Sequence, residues 1–179
     1  SDRCVIPEHK FDIERLTELL MKDRRDNDSN YSVVLVSEGA MFEGGEMTFS
    51  NQDTDAYGHK KLGGIGDLVC AELQKRAPKY SNGESISTIN QRMSYMTRSG
   101  HPDAIDSIVP MVYGNLAIDL IMDGKSGRMV CLKDGRYDHV PFEMVTEYEK
   151  KIDVDRFYDT ERYRPHYHNC MGMNQFIMT

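Results

Sequence analysis

The run Tyr31-Ser32-Val33-Val34-Leu35-Val36, followed by Ser37-Glu38-Gly39-Ala40, decides the fold class. A β-branched apolar run of this length reads as a buried strand. Upstream, Asp12 is placed to cap a helix from Ile13 to about Lys22, on which Ile13, Leu16, Leu19 and Leu20 share one face. Residues 23–30 (DRRDNDSN) between them read as a loop. Helix, short loop and buried strand make an α/β unit. Ligands of such sheets bind beyond the carboxyl ends of the strands, and Glu38 stands at that end.

Working outward, residues 1–10 read as irregular around Pro7, and residues 41–58 as an extended loop rich in Gly, Asn and Asp. Leu62-Gly63-Gly64-Ile65-Gly66 opens a helix from Asp67 to about Arg76, which Pro78 stops. A polar loop leads to a segment from Ile86 to Met96 and then to the turn Arg98-Ser99-Gly100-His101-Pro102-Asp103. Asp103 is placed to cap the longest helix, about Ala104 to Met122. Ile105, Ile108, Met111, Val112, Leu116, Ile118 and Ile121 lie around most of it, and a helix apolar on most sides is buried on most sides. Pro110 within it predicts a kink. Arg128 to Lys133 reads as a strand, Asp134-Gly135 as a hairpin turn and Phe142 to Lys151 as a helix. A tail rich in Tyr, Arg and His follows, and no repeat or low-complexity tract interrupts the chain.

The 179 residues are 39% apolar and 28% charged, an ordinary soluble composition of about one domain's length. A net charge of −7 argues against a general nucleic-acid binder, which needs a basic face. No apolar run is expected to reach the ~20 residues of a membrane span, and no signal peptide opens the sequence. Cys4, Cys70, Cys131 and Cys170 are scattered without a CxxC, which reads as reduced thiols in a cytoplasmic protein.

Several motifs fall short of a chemistry. Leu62-Gly63-Gly64-Ile65-Gly66 has the look of a phosphate-cradling loop, yet no apolar strand precedes it and the G-x-G-x-x-G spacing is absent; a turn leading into a helix accounts for it. Gly124-Lys125-Ser126 ends like a Walker A loop, but the first glycine of that motif falls on Asp119. His166, His168 and Cys170 are metal-ligand types without a third ligand of known position, and a polar tail accounts for them. No metal site and no nucleophilic triad is assigned.

Two features carry more. Glu38 offers a carboxylate at a strand end. Tyr95-Met96-Thr97-Arg98 sets a phenol and a guanidinium three residues apart before a turn. Arginine gives planar, bidentate donors to a phosphate monoester, and tyrosine bonds a neighbouring oxygen; a surface salt bridge is the plainer account of Arg98 alone.

At these residues the sequence resembles the C-terminal part of the phosphofructokinase family, especially the branch that includes pyrophosphate-dependent enzymes. Four stretches carry the likeness in order: residues 33–40 (VVLVSEGA), 55–66 (DAYGHKKLGGIG), 95–106 (YMTRSGHPDAID) and 113–121 (YGNLAIDLI), with Tyr163-Arg164-Pro165 in the tail. The resemblance implies a Rossmann-like three-layer α/β lobe, incomplete in this chain. It implies a substrate-binding lobe over about residues 1–98, and over about 99–179 a segment returning toward the N-terminal lobe plus the tail. Helix 104–122 would then pack against strands outside these residues, so an exposed apolar patch is expected on the chain alone.

Family members transfer a phosphoryl group from ATP or pyrophosphate, with Mg²⁺, to the 1-hydroxyl of fructose 6-phosphate in glycolysis. By resemblance Glu38 contacts the sugar hydroxyls, Tyr95 and Arg98 hold the sugar and its 6-phosphate, and Met96 and Thr97 lie in the same stretch. A homo-oligomer or a partner chain is implied. Many members carry an arginine six positions before the tyrosine; here Ile89 stands there and Arg92 three residues further on. The donor-phosphate loop, the catalytic Asp motif and the Met-Gly-Arg motif of the family belong to its N-terminal part and are absent from this sequence, so no catalytic residue is assigned; Mg²⁺ would be bound mainly by that part. A non-catalytic sugar-phosphate-binding or regulatory subunit is the alternative.

Overall fold

The computed structural model describes residues 1–45, 49–54, 60–62, 64–147 and 151–166; at 49–54, 60–62 and Arg98 the description is of backbone alone. In chain order the elements are β1 (Arg3–Val5), α1 (Ile13–Asp26), β2 (Val34–Val36), β3 (Phe49–Thr54), β4 (Lys60–Leu62) and α2 (Ile65–Arg76). There follow α3 (Ala104–Met122), β5 (Arg128–Lys133), β6 (Arg136–Pro141), α4 (Phe142–Glu147), α5 (Val154–Phe157), β7 (Tyr158–Asp159) and β8 (Arg164–Pro165), with 3₁₀ turns at Ala77–Tyr80 and Ser94–Arg98. The described residues divide into two compact units, one of residues 1–92 with 152–166 and one of residues 93–151.

In the first unit β1 and β2 pair in parallel, Arg3 with Val34 and Val5 with Val36, and α1 connects them. Asp12 caps α1 by accepting from the Glu14 amide at 2.8 Å. Leu16, Leu19 and Leu20 turn inward against Val5, Phe11, Val69, Leu73, Tyr158 and Tyr163 to form the core. The helix runs past Lys22 to Asp26, because the charges of the expected loop suit a helix end: Arg24 and Arg25 lie in its last turn, where cations meet the negative pole. Residues 1–10 are not wholly irregular. β1 is three residues long, too short for a periodic signal, and acquires its partners only when β2 arrives. Likewise residues 41–58 contain β3, which pairs antiparallel with β4.

The expected buried strand 31–36 is shorter and more open. β2 covers Val34–Val36, and Val33 and Leu35 are 43% and 49% exposed. A continuous apolar run anticipates cover on both faces of a parallel sheet. This two-stranded sheet receives it on one.

The C-terminal segment 152–166 belongs to the same unit. Arg3, buried, donates to both carboxylate oxygens of Asp23 at 2.6 Å and to the carbonyl of Arg162 at 2.7 Å. The Cys4 amide donates to the Tyr163 carbonyl at 2.8 Å, and the Tyr163 hydroxyl accepts from the Asp12 amide at 2.9 Å.

In the second unit α3 begins at a reciprocal capping box of Asp103 and Asp106 and keeps Pro110 inside a continuous helix. Its apolar residues are not buried: Ile108, Met111, Ile118, Ile121 and Met122 are more than half exposed, and Leu120 alone in the helix is buried. The exposed apolar patch expected of the chain is therefore present. By length and composition α3 could also cross a membrane, which corrects the expectation that no apolar run approaches that length; it carries Asp106 and Asp119. β5 and β6 form a six-pair hairpin, turned at Asp134 (φ 50°) and Gly135 (φ 75°), the left-handed pair of a type I′ turn. The rings of Tyr113 and Tyr137 meet edge to face at 6.1 Å.

Candidate functional site

Glu38 sits in a tight turn where β2 ends. The Ser37 amide donates to the Val5 carbonyl at 3.0 Å, and the Ala40 amide closes the turn onto the Ser37 carbonyl at 3.0 Å. Ala40 is buried, which anchors the turn and leaves Glu38 exposed at the carboxyl end of the parallel pair. Gly39 packs against the loop after β1; a Cβ there would stand 3.3 Å from that of Pro7. The same loop carries Glu8, whose Oε1 accepts from the Ile152 amide at 3.4 Å and whose Oε2 is buried without a hydrogen-bond partner. Glu8 was not singled out from the sequence, because only the strand β1 reveals it as a second carboxylate at this end.

Tyr95, Met96 and Thr97 lie in the 3₁₀ turn Ser94–Arg98 of the second unit. The turn is held locally: the Met96 amide donates to the Met93 carbonyl at 2.8 Å, and the hydroxyls of Thr97 and Ser99 donate to the carbonyls of Ser94 and Met96 at 3.0 and 3.1 Å. Tyr95 is 80% exposed. Ser94 adopts φ 38°, a left-handed conformation that costs a non-glycine residue about 1 kcal/mol. The Arg98 side chain lies outside the described atoms, as do His168 and Cys170. Glu38 thus belongs to the first unit and Tyr95–Arg98 to the second.

Two further side chains stand where the sequence left questions. Arg92 donates to Asp67 at 2.6 Å, and Asn90 donates to the other oxygen of the same carboxylate at 2.6 Å. The Asn90 hydrogen bond, and then that of Arg92, hold the Asp67 carboxyl below its ordinary value. The helix α2 enters at Gly64, whose φ of 89° only glycine adopts freely, and no side chain caps it. The Gly-rich stretch is a turn into a helix, two residues earlier than expected. Among the described residues no group of three or more His, Cys, Asp or Glu is gathered that could hold a metal ion, so these residues do not fit Mg²⁺.

The Phosphofructokinase family model matches residues 1–121, two thirds of the sequence and all of both candidate segments. The chain belongs to the phosphofructokinase family. The pyrophosphate–fructose 6-phosphate 1-phosphotransferases of Streptomyces coelicolor and Amycolatopsis mediterranei are each 31% identical to this phosphofructokinase chain, over 83% and 88% of its length. The ATP-dependent 6-phosphofructokinase of Corynebacterium efficiens is 29% identical over 86%. The chain spans 41%, 43% and 42% of those relatives' lengths. The crystal structure of a pyrophosphate-dependent phosphofructokinase from Marinobacter aquaeolei superposes with a TM-score of 0.55 at 20% identity, over 88% of this chain and 36% of that one. That likeness shows the fold: an α/β arrangement of the phosphofructokinase type.

Proposed function

We propose that this phosphofructokinase chain carries the fructose 6-phosphate side of a 6-phosphofructokinase. The observation that supports this most is that the family match runs through both Glu38 and Tyr95–Arg98, and that Glu38 and Tyr95 are exposed to a ligand rather than spent on the core. Glu38 accepts hydrogen bonds from sugar hydroxyls. Arg98 neutralises the 6-phosphate and Tyr95 bonds a neighbouring oxygen, with Met96 and Thr97 in the same stretch. About residues 1–98 form the substrate-binding lobe, and about 99–179 the segment returning toward the N-terminal lobe.

In the whole enzyme the 1-hydroxyl oxygen attacks the transferred phosphorus of ATP or pyrophosphate as the leaving phosphate departs. The part of the family's length that this chain does not span would supply the donor site, the catalytic acid and Mg²⁺, and would cover the apolar face of α3. Charge neutralisation by one arginine suffices for a phosphorylated sugar even on a chain of net charge −7. A cytoplasmic enzyme of glycolysis, working as a homo-oligomer or with a partner chain, fits this reading.

Isothermal titration with fructose 6-phosphate tests it. The chain binds the sugar phosphate, ATP and pyrophosphate leave that binding unchanged, and Arg98→Ala weakens it about tenfold or more. Absence of binding at millimolar sugar phosphate would overturn the assignment.

A further inference from the structure

The chain that leads into the Ser94–Arg98 turn is fastened to the start of α2. Asp67, in the first turn of that helix, receives one hydrogen bond on each carboxylate oxygen, from Asn90 Nδ2 and Arg92 Nη2, both at 2.6 Å. Gly66 makes the approach possible: a Cβ there would lie 2.9 Å from Asn90 Oδ1 and 3.2 Å from Asn90 Cγ, closer than a side chain tolerates. Further along α2, Gln74 Nε2 donates to Thr88 Oγ1 at 2.9 Å. Residues 88–92 are therefore tied to the helix at both ends, and the turn begins directly after Met93.

The ties are exposed; the Arg92 and Asp67 side chains are 74% and 58% accessible. Exposed ion pairs add little to global stability. What this one can do is restrict the direction in which a polar segment leaves the unit. A carboxylate in a first helical turn also faces the positive pole of the helix, so Asp67 is held charged where the latch needs it.

We propose that Asp67, acting through Asn90 and Arg92 across the space left by Gly66, is a positioning residue for fructose 6-phosphate binding. It sets the approach of the chain into the Tyr95–Arg98 turn and does not itself touch the sugar. The proposal rests on the reading of that turn as the sugar-phosphate site. It gives Arg92, three residues from the family's usual arginine position, a role within its own chain.

The test uses the full chain with Asp67→Asn, Arg92→Met and Arg92→Lys, read by amide hydrogen exchange and by titration with fructose 6-phosphate. Asp67→Asn and Arg92→Met are expected to speed exchange over residues 94–98, leave α1 unchanged and weaken binding about two- to fivefold, while Arg92→Lys, which keeps the charge, recovers most of both. Wild-type affinity in Asp67→Asn, or exchange that rises equally in α1, would overturn the proposal alone. A parent chain that binds no fructose 6-phosphate would overturn the sugar-site reading and the proposal with it, and that result is read before any variant is made.

Discussion

The hydroxyl of Tyr158 donates a 2.5 Å hydrogen bond to the carbonyl of Cys4, a residue 154 positions away in the chain. Together with the Tyr163 bonds to Asp12 and Cys4, it makes residues 152–166 a structural part of the first unit rather than a loose end. Burial drives the Tyr158 phenol well above its ordinary range, so it stays a neutral donor. Tyr158→Phe keeps the ring and removes the donor. It is expected to lower stability by about 1 kcal/mol, measured by urea unfolding with the slope unchanged.

Arg3 and Asp23 form the buried ion pair of the same region, with side-chain exposures of 5% and 12%. Removing one partner leaves a buried charge without its counterion. Asp23→Ala is expected to cost about 3 kcal/mol, whereas Arg3→Met combined with Asp23→Leu costs clearly less. Equal losses in the two urea titrations would show that the pair's packing, not its charge balance, matters.

Ser94 holds a left-handed backbone at the start of the candidate sugar-binding turn. Glycine adopts that conformation without the Cβ penalty, at some cost in chain entropy. Ser94→Gly is expected to slow amide exchange at Met96, whose N–H bonds the Met93 carbonyl, by a few-fold. Faster exchange would mean that the hydroxyl, rather than the strain, governs the turn.

The apolar face of α3 makes a prediction about solution behaviour. Ile121 and Met122 are 71% and 80% exposed. Replacing both with Gln is expected to reduce self-association in sedimentation and binding of an apolar dye, with no loss in the urea stability of the first unit. A variant that unfolds more readily would place these side chains in a core the structure does not show.

Glu14 supplies the pH dependence. Its carboxyl is held below the ordinary 4.5, first by the Lys79 hydrogen bond and then by that of Tyr80. A carboxylate whose value is lowered on folding contributes stability that is full above its unfolded value and is lost as the pH falls through the folded one. Urea stability is therefore expected to fall below pH 4.5, and Glu14→Gln to make that fall shallower while leaving the alkaline side unchanged.

Local signals were legible in advance. The Asp103 cap and the long apolar run predicted α3 with the bounds it has, and Asp134-Gly135 predicted the β5–β6 hairpin, because a cap and a type I′ turn are decided within a few residues. β1 was not legible, since its three residues have no periodicity of their own and owe their strand geometry to β2. The extent of α1 was missed because its last turn is as polar as a loop.

The candidate site divides the same way. Residue type and spacing were enough to pick out Glu38 and the Tyr95–Arg98 turn, since a carboxylate after a strand and an arginine near a phenol are chemical statements that need no neighbours. The family, too, was readable from four ordered stretches of sequence. What only the tertiary structure decided was which side chains support them. Asp67 meets Asn90 and Arg92 across more than twenty positions, Glu8 comes to the same sheet end as Glu38 only through strand pairing, and Arg3 finds Asp23 and the tail carbonyl of Arg162. Such contacts follow from how elements pack, and no local pattern encodes a partner that distant in the chain.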